Sequence, residues 1–318
     1  MDIVGLGLAT LDVLMRLKDM PTWEHPGRLG AFRLEGGGPV GTACTAAARL
    51  GARVGYVGTA GIDECGELKL RSLCGSGVDL SRLVRRGAPE KQLILVYVHE
   101  ETGERVFSGV EGLDTQTLTV AELDRDYLTS AQYLHLDGFH SDAALEAARW
   151  MHEAGKTVML DAGATRGPVS DRMRALVGAT DILVCGSGFA PALTGCPDPW
   201  AAGEAALRCG PRSVVQTEGR DGSYTVTADE RFHTPAFDVE VVDTTGAGDV
   251  FHGAYLVGLL HGWDLRTIAT FSSAASALTC TKLGGRRGIP TFGEVCAFLE
   301  ARGAGVPPAG PSNLESEI

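Results

Sequence analysis

The sequence predicts an α/β protein with a doubly wound, mainly parallel sheet, helices on both faces and a small β-sheet lid. Three observations carry this expectation. Short apolar runs alternate with Ala-rich helical stretches, two charged and β-branched segments interrupt that alternation, and a Gly-rich turn late in the chain opens directly into an apolar helix.

The alternation starts at once. Residues 3–7 (IVGLG) read as a buried strand, residues 41–51 (GTACTAAARLG) as a tightly packed helix and residues 54–57 as the next strand, a βαβ unit. The rhythm resumes with a strand at 133–136, a helix at 143–154 and strands at 157–160, 182–184 and 214–217. Strands separated by helices of this length imply a parallel sheet covered on both faces. Residues 11–34 and 91–106 break the pattern, with the turn Glu101-Thr102-Gly103 joining two strand-like arms. They read as one small sheet beside the main domain, spanning about 11–34 and 91–112; a β-extension without a moving part is the alternative. After Pro290 a helix at 292–302 closes a single domain of residues 1–305, and 306–318, rich in Pro, Gly, Ser and terminal acids, is expected to be a loose tail.

Composition limits the partners. A hydrophobic fraction of 44% and a charged fraction of 21% are those of an ordinary globular chain. The formal net charge of -12 excludes a nucleic-acid partner held by a broad basic surface, so a phosphorylated ligand must be held locally. The N-terminus has no basic region followed by a long apolar run, and no apolar stretch reaches the roughly 20 residues that span a bilayer, which makes a reducing cytoplasm, and no membrane, the expectation. The eight cysteines include no CxxC pair and read as buried free thiols.

The chemistry concentrates in DTTGAGD, Asp243 to Asp249, followed by the helical VFHGAYLVGLL. A helix N-terminus presents free amides and the positive end of a dipole, an anion site that Gly246 and Gly248 let a phosphate approach closely. N-capping by Asp243, Thr244 or Thr245 would explain the polar residues, but not two glycines followed at once by a carboxylate. Asp249 is unfavourable beside a bound phosphate unless it acts there. A general base next to an anion hole is such a role: it takes a hydroxyl proton while the amides of Gly246, Ala247 and Gly248 receive the charge of a transferring phosphoryl group. A lid suits this chemistry, because water would otherwise accept the phosphoryl group.

This segment closely resembles the C-terminal signature of the PfkB, or ribokinase-like, carbohydrate kinase family, and residues 36–66 (GGGPVGTACTAAARLGARVGYVGTAGIDECG) resemble the family's other signature. The resemblance runs from about residue 3 to residue 299 and implies a ribokinase-like fold, ATP and Mg2+ as cofactors, and a sugar as acceptor. It makes Asp249 the base and Gly246 to Gly248 the anion hole. Asp12 matches a carboxylate that binds sugar hydroxyls, and Gly37 and Gly38 match glycines lying against the sugar; by themselves these residues read as turn positions. Thr217, Gly219 and Gly222 match a turn along ATP, and Ser273 falls near the adenine. Asp243, Thr245 and backbone around Gly284 match a monovalent cation site, implying K+. GGGP at 36–39 and GGRRGIP at 284–290 resemble the branch that contains sulfofructose kinase.

There are departures. The family's frequent Asn in the first signature falls on Gly41, and its NxxE pair, associated with magnesium, falls on Cys185 and Gly188. Arg28 and Arg105, in the two lid segments, are candidates to pair with an anionic group on the acceptor; solvated lid residues are the plainer reading. His140 reads as a satisfied loop histidine. A nucleoside kinase of the same superfamily and a non-catalytic sugar-binding protein on this scaffold are the rival readings. A spare lid edge could pair with a second copy.

Overall fold

The computed structural model describes residues 1–165 and 167–308. Its strands, in chain order, are β1 (Ile3–Leu6), β2 (Thr10–Leu17), β3 (Leu29–Gly37), β4 (Val54–Val57), β5 (Thr59–Ala60), β6 (Val84–Arg85), β7 (Leu93–His99), β8 (Arg105–Gly109), β9 (Tyr133–Leu136), β10 (Thr157–Asp161), β11 (Ile182–Gly186), β12 (Ser213–Thr217), β13 (Ser223–Thr227) and β14 (Arg231–Thr234). The main sheet has the order β14-β13-β12-β11-β10-β9-β1-β4 and is parallel from β12 to β4, with β13 and β14 added antiparallel. Strands β1, β10 and the edge strand β4 are buried on both faces, which is why they read as unbroken apolar runs. One core packs the helices Pro39–Arg49, Ala247–Leu260 and Leu265–Thr279 on one face; a second packs Ser141–Glu153, Asp171–Gly178 and Pro199–Leu207 on the other.

The two segments that break the alternation form one four-stranded sheet, β3-β2-β7-β8. Register sorts its side chains into two faces. Asp12, Glu35 and Ile94 share one row, and Leu14, Arg33, Val96 and Phe107 the next. The opposite face carries Phe32, Met15, Tyr97 and Val106 in a row across all four strands. The lid root is anchored by a fully buried ion pair, Lys69 to Glu90 at 2.6 Å. Lys69 also donates to the Thr59 carbonyl and to Gln92 Oε1, each at 2.8 Å, and the Gln92 carbonyl receives the Leu11 amide, so β2 and β7 leave the domain from one fixed point.

Three expectations shift in detail. The first helix begins at Pro39 rather than Gly41, because a proline at the first helical position needs no hydrogen-bond acceptor. Of the C-terminal stretch, residues 309–318 lie outside the described residues, while Pro308 accepts a hydrogen bond from Trp263 Nε1 at 3.1 Å. All eight cysteines are free, but Cys74 and Cys209 are exposed rather than buried. No helix among the described residues is long and apolar enough to cross a membrane.

Candidate active site

The Gly-rich turn lies at the carboxyl edge of the parallel sheet, where open α/β folds bind their ligands. Gly246 caps the helix Ala247–Leu260 in the left-handed conformation, φ 74°, and a Cβ there would lie 2.7 Å from the Gly285 carbonyl. Gly248 differs. It sits in the first helical turn with ordinary φ, and beyond its own chain neighbours and helix backbone no protein atom lies within 4 Å of a Cβ placed on it. Packing therefore requires the first glycine and leaves the second open to the cleft. The amides of Gly248 and Asp249 fall among the four that a helix leaves without an intrahelical acceptor. Ser276 Oγ donates to the Ala247 carbonyl at 2.7 Å and fixes this first turn to the neighbouring helix.

Asp249 is half-buried. Burial first, then the carboxylates Asp161, Asp12 and Asp137, hold its carboxyl well above the usual range, with Arg286 opposing them. Asp12 is buried on the lid strand β2, accepts from Thr10 Oγ1 at 2.5 Å and is also raised by burial. Its carboxylate lies so close over Gly37 that a side chain there would collide with it. Gly38, at φ 84°, turns the chain from β3 into the helix Pro39–Arg49. The turn, Asp12 and the glycine run are thus brought together from three distant parts of the sequence.

Several groups that sequence reading did not single out complete the cleft. Asp137 directly follows β9 and Asp161 ends β10, so two adjacent parallel strands each place a carboxylate at the same edge. Burial pushes Asp137 up to about 6 despite its bonds from the Leu8 and Phe139 amides. His252, one turn beyond Gly248, contacts the Gly248 carbonyl through Nδ1 at 2.7 Å and Asp161 Oδ1 through Nε2 at 3.5 Å. Glu35 stands opposite Asp12 on β3, with Oε2 buried and unpartnered. Arg286 is 5% exposed. A carboxylate at the end of an apolar strand is a readable signal for Asp137 and Asp161; nothing local marks Glu35 or Arg286, whose neighbours come from far along the chain.

On the other side of the turn, Thr217 ends β12 and donates to the Cys185 carbonyl at 3.3 Å, and Gly219 and Gly222 shape the turn into β13 with positive φ. Ser273 is buried and donates to the Pro235 carbonyl at 3.4 Å. The missing NxxE pair has a local cause. Cys185 is fully buried in β11, and Gly188 is left-handed at φ 80° with the Thr165 carbonyl where a Cβ would be. Ser187 instead pairs with Glu218. Asp243, Thr245 and Gly284 do come together: the buried Asp243 accepts from the Thr245 amide and hydroxyl at 2.9 and 2.7 Å and from the Gly284 amide at 2.9 Å.

Arg28 and Arg105 are not brought to Asp12. Arg28 is exposed in the loop before β3. Arg105 shares the lid face of Asp12, but in the row of Arg16 and Val98, about 13 Å further along the strands by ordinary strand rise. It stands over the Phe107 ring, and its charge acts on Cys280 at the far side of the turn. The neighbouring lid tip reaches the same region, since a Cβ at Gly103 would lie 3.8 Å from the Val242 carbonyl. His140 is buried and accepts the Leu118 amide through Nδ1 at 3.0 Å.

Residues 3–291 match the pfkB family carbohydrate kinase model. The chain is 30% identical over 302 residues to an ATP-dependent ribose-1-phosphate kinase of Halopiger xanaduensis, covering 94% of this chain and 98% of that protein. It is 29% identical over 270 residues to the 2-dehydro-3-deoxygluconokinase of Bacillus subtilis, covering 80% and 83%. Among solved structures, a ribokinase from Thermotoga maritima superposes with a TM-score of 0.81 at 24% identity, over 94% of this chain and 99% of that one. An Arabidopsis thaliana ribokinase complexed with ribose and ATP also gives 0.81, at 23% identity over 94% and 98%.

Proposed function

The chain belongs to the pfkB family of carbohydrate kinases, and within it we propose that this enzyme transfers the γ-phosphoryl of ATP to a primary hydroxyl of a monosaccharide or sugar derivative, with Asp249 as general base. One observation carries the reading. Asp249 and a Gly248 with open space where a side chain would stand share the first turn of a helix, and the charge of Asp12 acts on the Asp249 carboxyl. The three groups suit a base, a phosphoryl cradle and a hydroxyl acceptor facing one space.

The acceptor lies on Gly37 and Gly38 with two hydroxyls donating to Asp12. Asp249 accepts the proton of the reacting hydroxyl as its oxygen bonds to phosphorus and ADP leaves. The amides of Gly248 and its neighbours Ala247 and Gly246 receive the charge on the transferring group. ATP extends from there along Thr217, Gly219 and Gly222 towards Ser273. Mg2+ bound with ATP supplies neutralisation of the phosphate charge. Asp161, the carboxylate that ends β10, would be offered to that ion, with phosphates and water as its other ligands. A monovalent cation such as K+, held by backbone carbonyls around Gly284 beside Asp243 and Thr245, would sit beneath the turn; the hydrogen bonds that join these three residues tie that loop to the turn.

The acceptors named for the two relatives, ribose 1-phosphate and 2-dehydro-3-deoxygluconate, both carry an anionic group. Arg105 and Arg28 remain the lid cations to pair with such a group, each only if the lid closes further over Asp12. The apolar row of Phe32, Met15, Tyr97 and Val106 on the outer lid face supports a homodimer through the lid. A coupled ADP-release assay over neutral, phosphorylated, carboxylated and sulfonated sugars and nucleosides tests the reading. Turnover with at least one sugar is expected. Turnover confined to nucleosides, or none, overturns it.

A further inference from the structure

Arg286 is a buried cation whose hydrogen bonds all go to uncharged groups. Nε donates to Thr42 Oγ1 at 3.2 Å, Nη1 to Ser72 Oγ at 2.6 Å and Nη2 to the Gly37 carbonyl at 2.5 Å. A guanidinium removed from water is costly unless charge elsewhere compensates it. The charges that act on it are Asp12 from β2, Glu35 from β3 and Asp249 from the helix Ala247–Leu260; Tyr56 and Cys44 act on it as well, and Lys69 is the like charge felt there. Lys69 is already matched by Glu90.

The surrounding sequence is shaped to this side chain. A Cβ at Gly36 would collide with Nη1 and one at Gly41 with Nη2. Gly41 stands inside the helix Pro39–Arg49, where glycine is unfavourable by itself. The guanidinium fills the room that side chains at both positions would take. It also reaches the strand end, the first turn of one helix and the body of another, so one planar fork sets the spacing of the glycine run against Asp12.

We propose that Arg286 is a positioning residue of the acceptor site, pinning the Gly36 to Gly38 backbone through the Gly37 carbonyl and serving as the shared counter-charge of Asp12 and Asp249. The inference rests on the reading of these two carboxylates as acceptor ligand and base. Removing the charge should make both harder to ionise, while keeping the charge without the fork should loosen only the glycine run.

The test compares full-length wild type with Arg286→Gln and Arg286→Lys. Carboxyl 13C NMR of Asp-labelled protein, assigned with Asp12→Asn and Asp249→Asn, follows both titrations without any acceptor. In Arg286→Gln the Asp249 midpoint should rise by about one pH unit or more, the size expected when a nearby opposite charge is lost. In Arg286→Lys it should stay near wild type, while KM for the best of ribose, ribose 1-phosphate, fructose and 2-dehydro-3-deoxygluconate rises about tenfold, the loss of one charge-assisted bond. KM for ATP should not move. A folded Arg286→Gln that titrates like wild type overturns the proposal; should that variant fail to fold, an Arg286→Lys that loses kcat and both KM values together overturns it. If Asp249 proves not to be the base, the titration shift is still read, so the two failures are distinct.

Discussion

At the scale of single residues, the two glycines of the turn have different reasons to be glycine, and substitution should separate them. Gly246→Ala forces a left-handed alanine against the Gly285 backbone and should cost roughly 1–3 kcal/mol of stability. Gly248→Ala meets no protein atom and gains helix propensity, so urea unfolding should show it unchanged or more stable by up to about 1 kcal/mol. Its turnover should nevertheless collapse, because the methyl group stands where the proposed reaction puts the phosphoryl group. A Gly248→Ala enzyme with full activity would remove the argument for close backbone approach. Asp249 adds a pH signature. Its carboxyl is held above the usual range, and a general base works only when ionised, so with Asp249 in the proposed role kcat/KM should fall as pH drops through a midpoint clearly above the ordinary value of about 4. An acid limb at the ordinary value would mean that burial and the neighbouring carboxylates do not act on the base as described.

At the scale of elements, the lid depends on its root. Lys69 and Glu90 are both fully buried, and burial lowers the Lys69 ammonium while Glu90 opposes that shift. Lys69→Met leaves Glu90 charged and uncompensated and should cost about 3–5 kcal/mol in urea unfolding. Hydrogen exchange should then show β2 and β7 exchanging faster than the central strands; uniform exchange would mean that the pair is not a lid anchor. The elements themselves differ in how far the sequence discloses them. Strands such as β1 and β10 are legible because burial on both faces leaves an uninterrupted apolar run. β13 and β14 are not, since an antiparallel pair with one face partly in solvent, as in Ser223–Thr227, mixes polar and apolar residues. The same contrast holds in the site: Asp249 is legible from its own turn, whereas Arg286 acquires meaning only beside Gly37 and Gly41, more than 200 residues away, and Glu35 only beside Asp12 on the neighbouring strand.

At the scale of the whole molecule, the fold sets one helix start against one lid strand, and the proposed reaction needs both. The lid's outer face leaves Phe32 48% and Val106 60% exposed in a single cross-strand row. Sedimentation should therefore give a dimer that Phe32→Asp dissociates; a wild-type monomer at micromolar concentration would contradict lid pairing. The central claim concerns Asp249 and is tested by Asp249→Asn in the ADP-release assay, alongside unfolding and acceptor-binding measurements. Turnover should fall by about 100- to 10,000-fold while folding and acceptor binding stay close to wild type. An Asn variant that is folded and turns over acceptor at near wild-type rate would show that the base lies elsewhere.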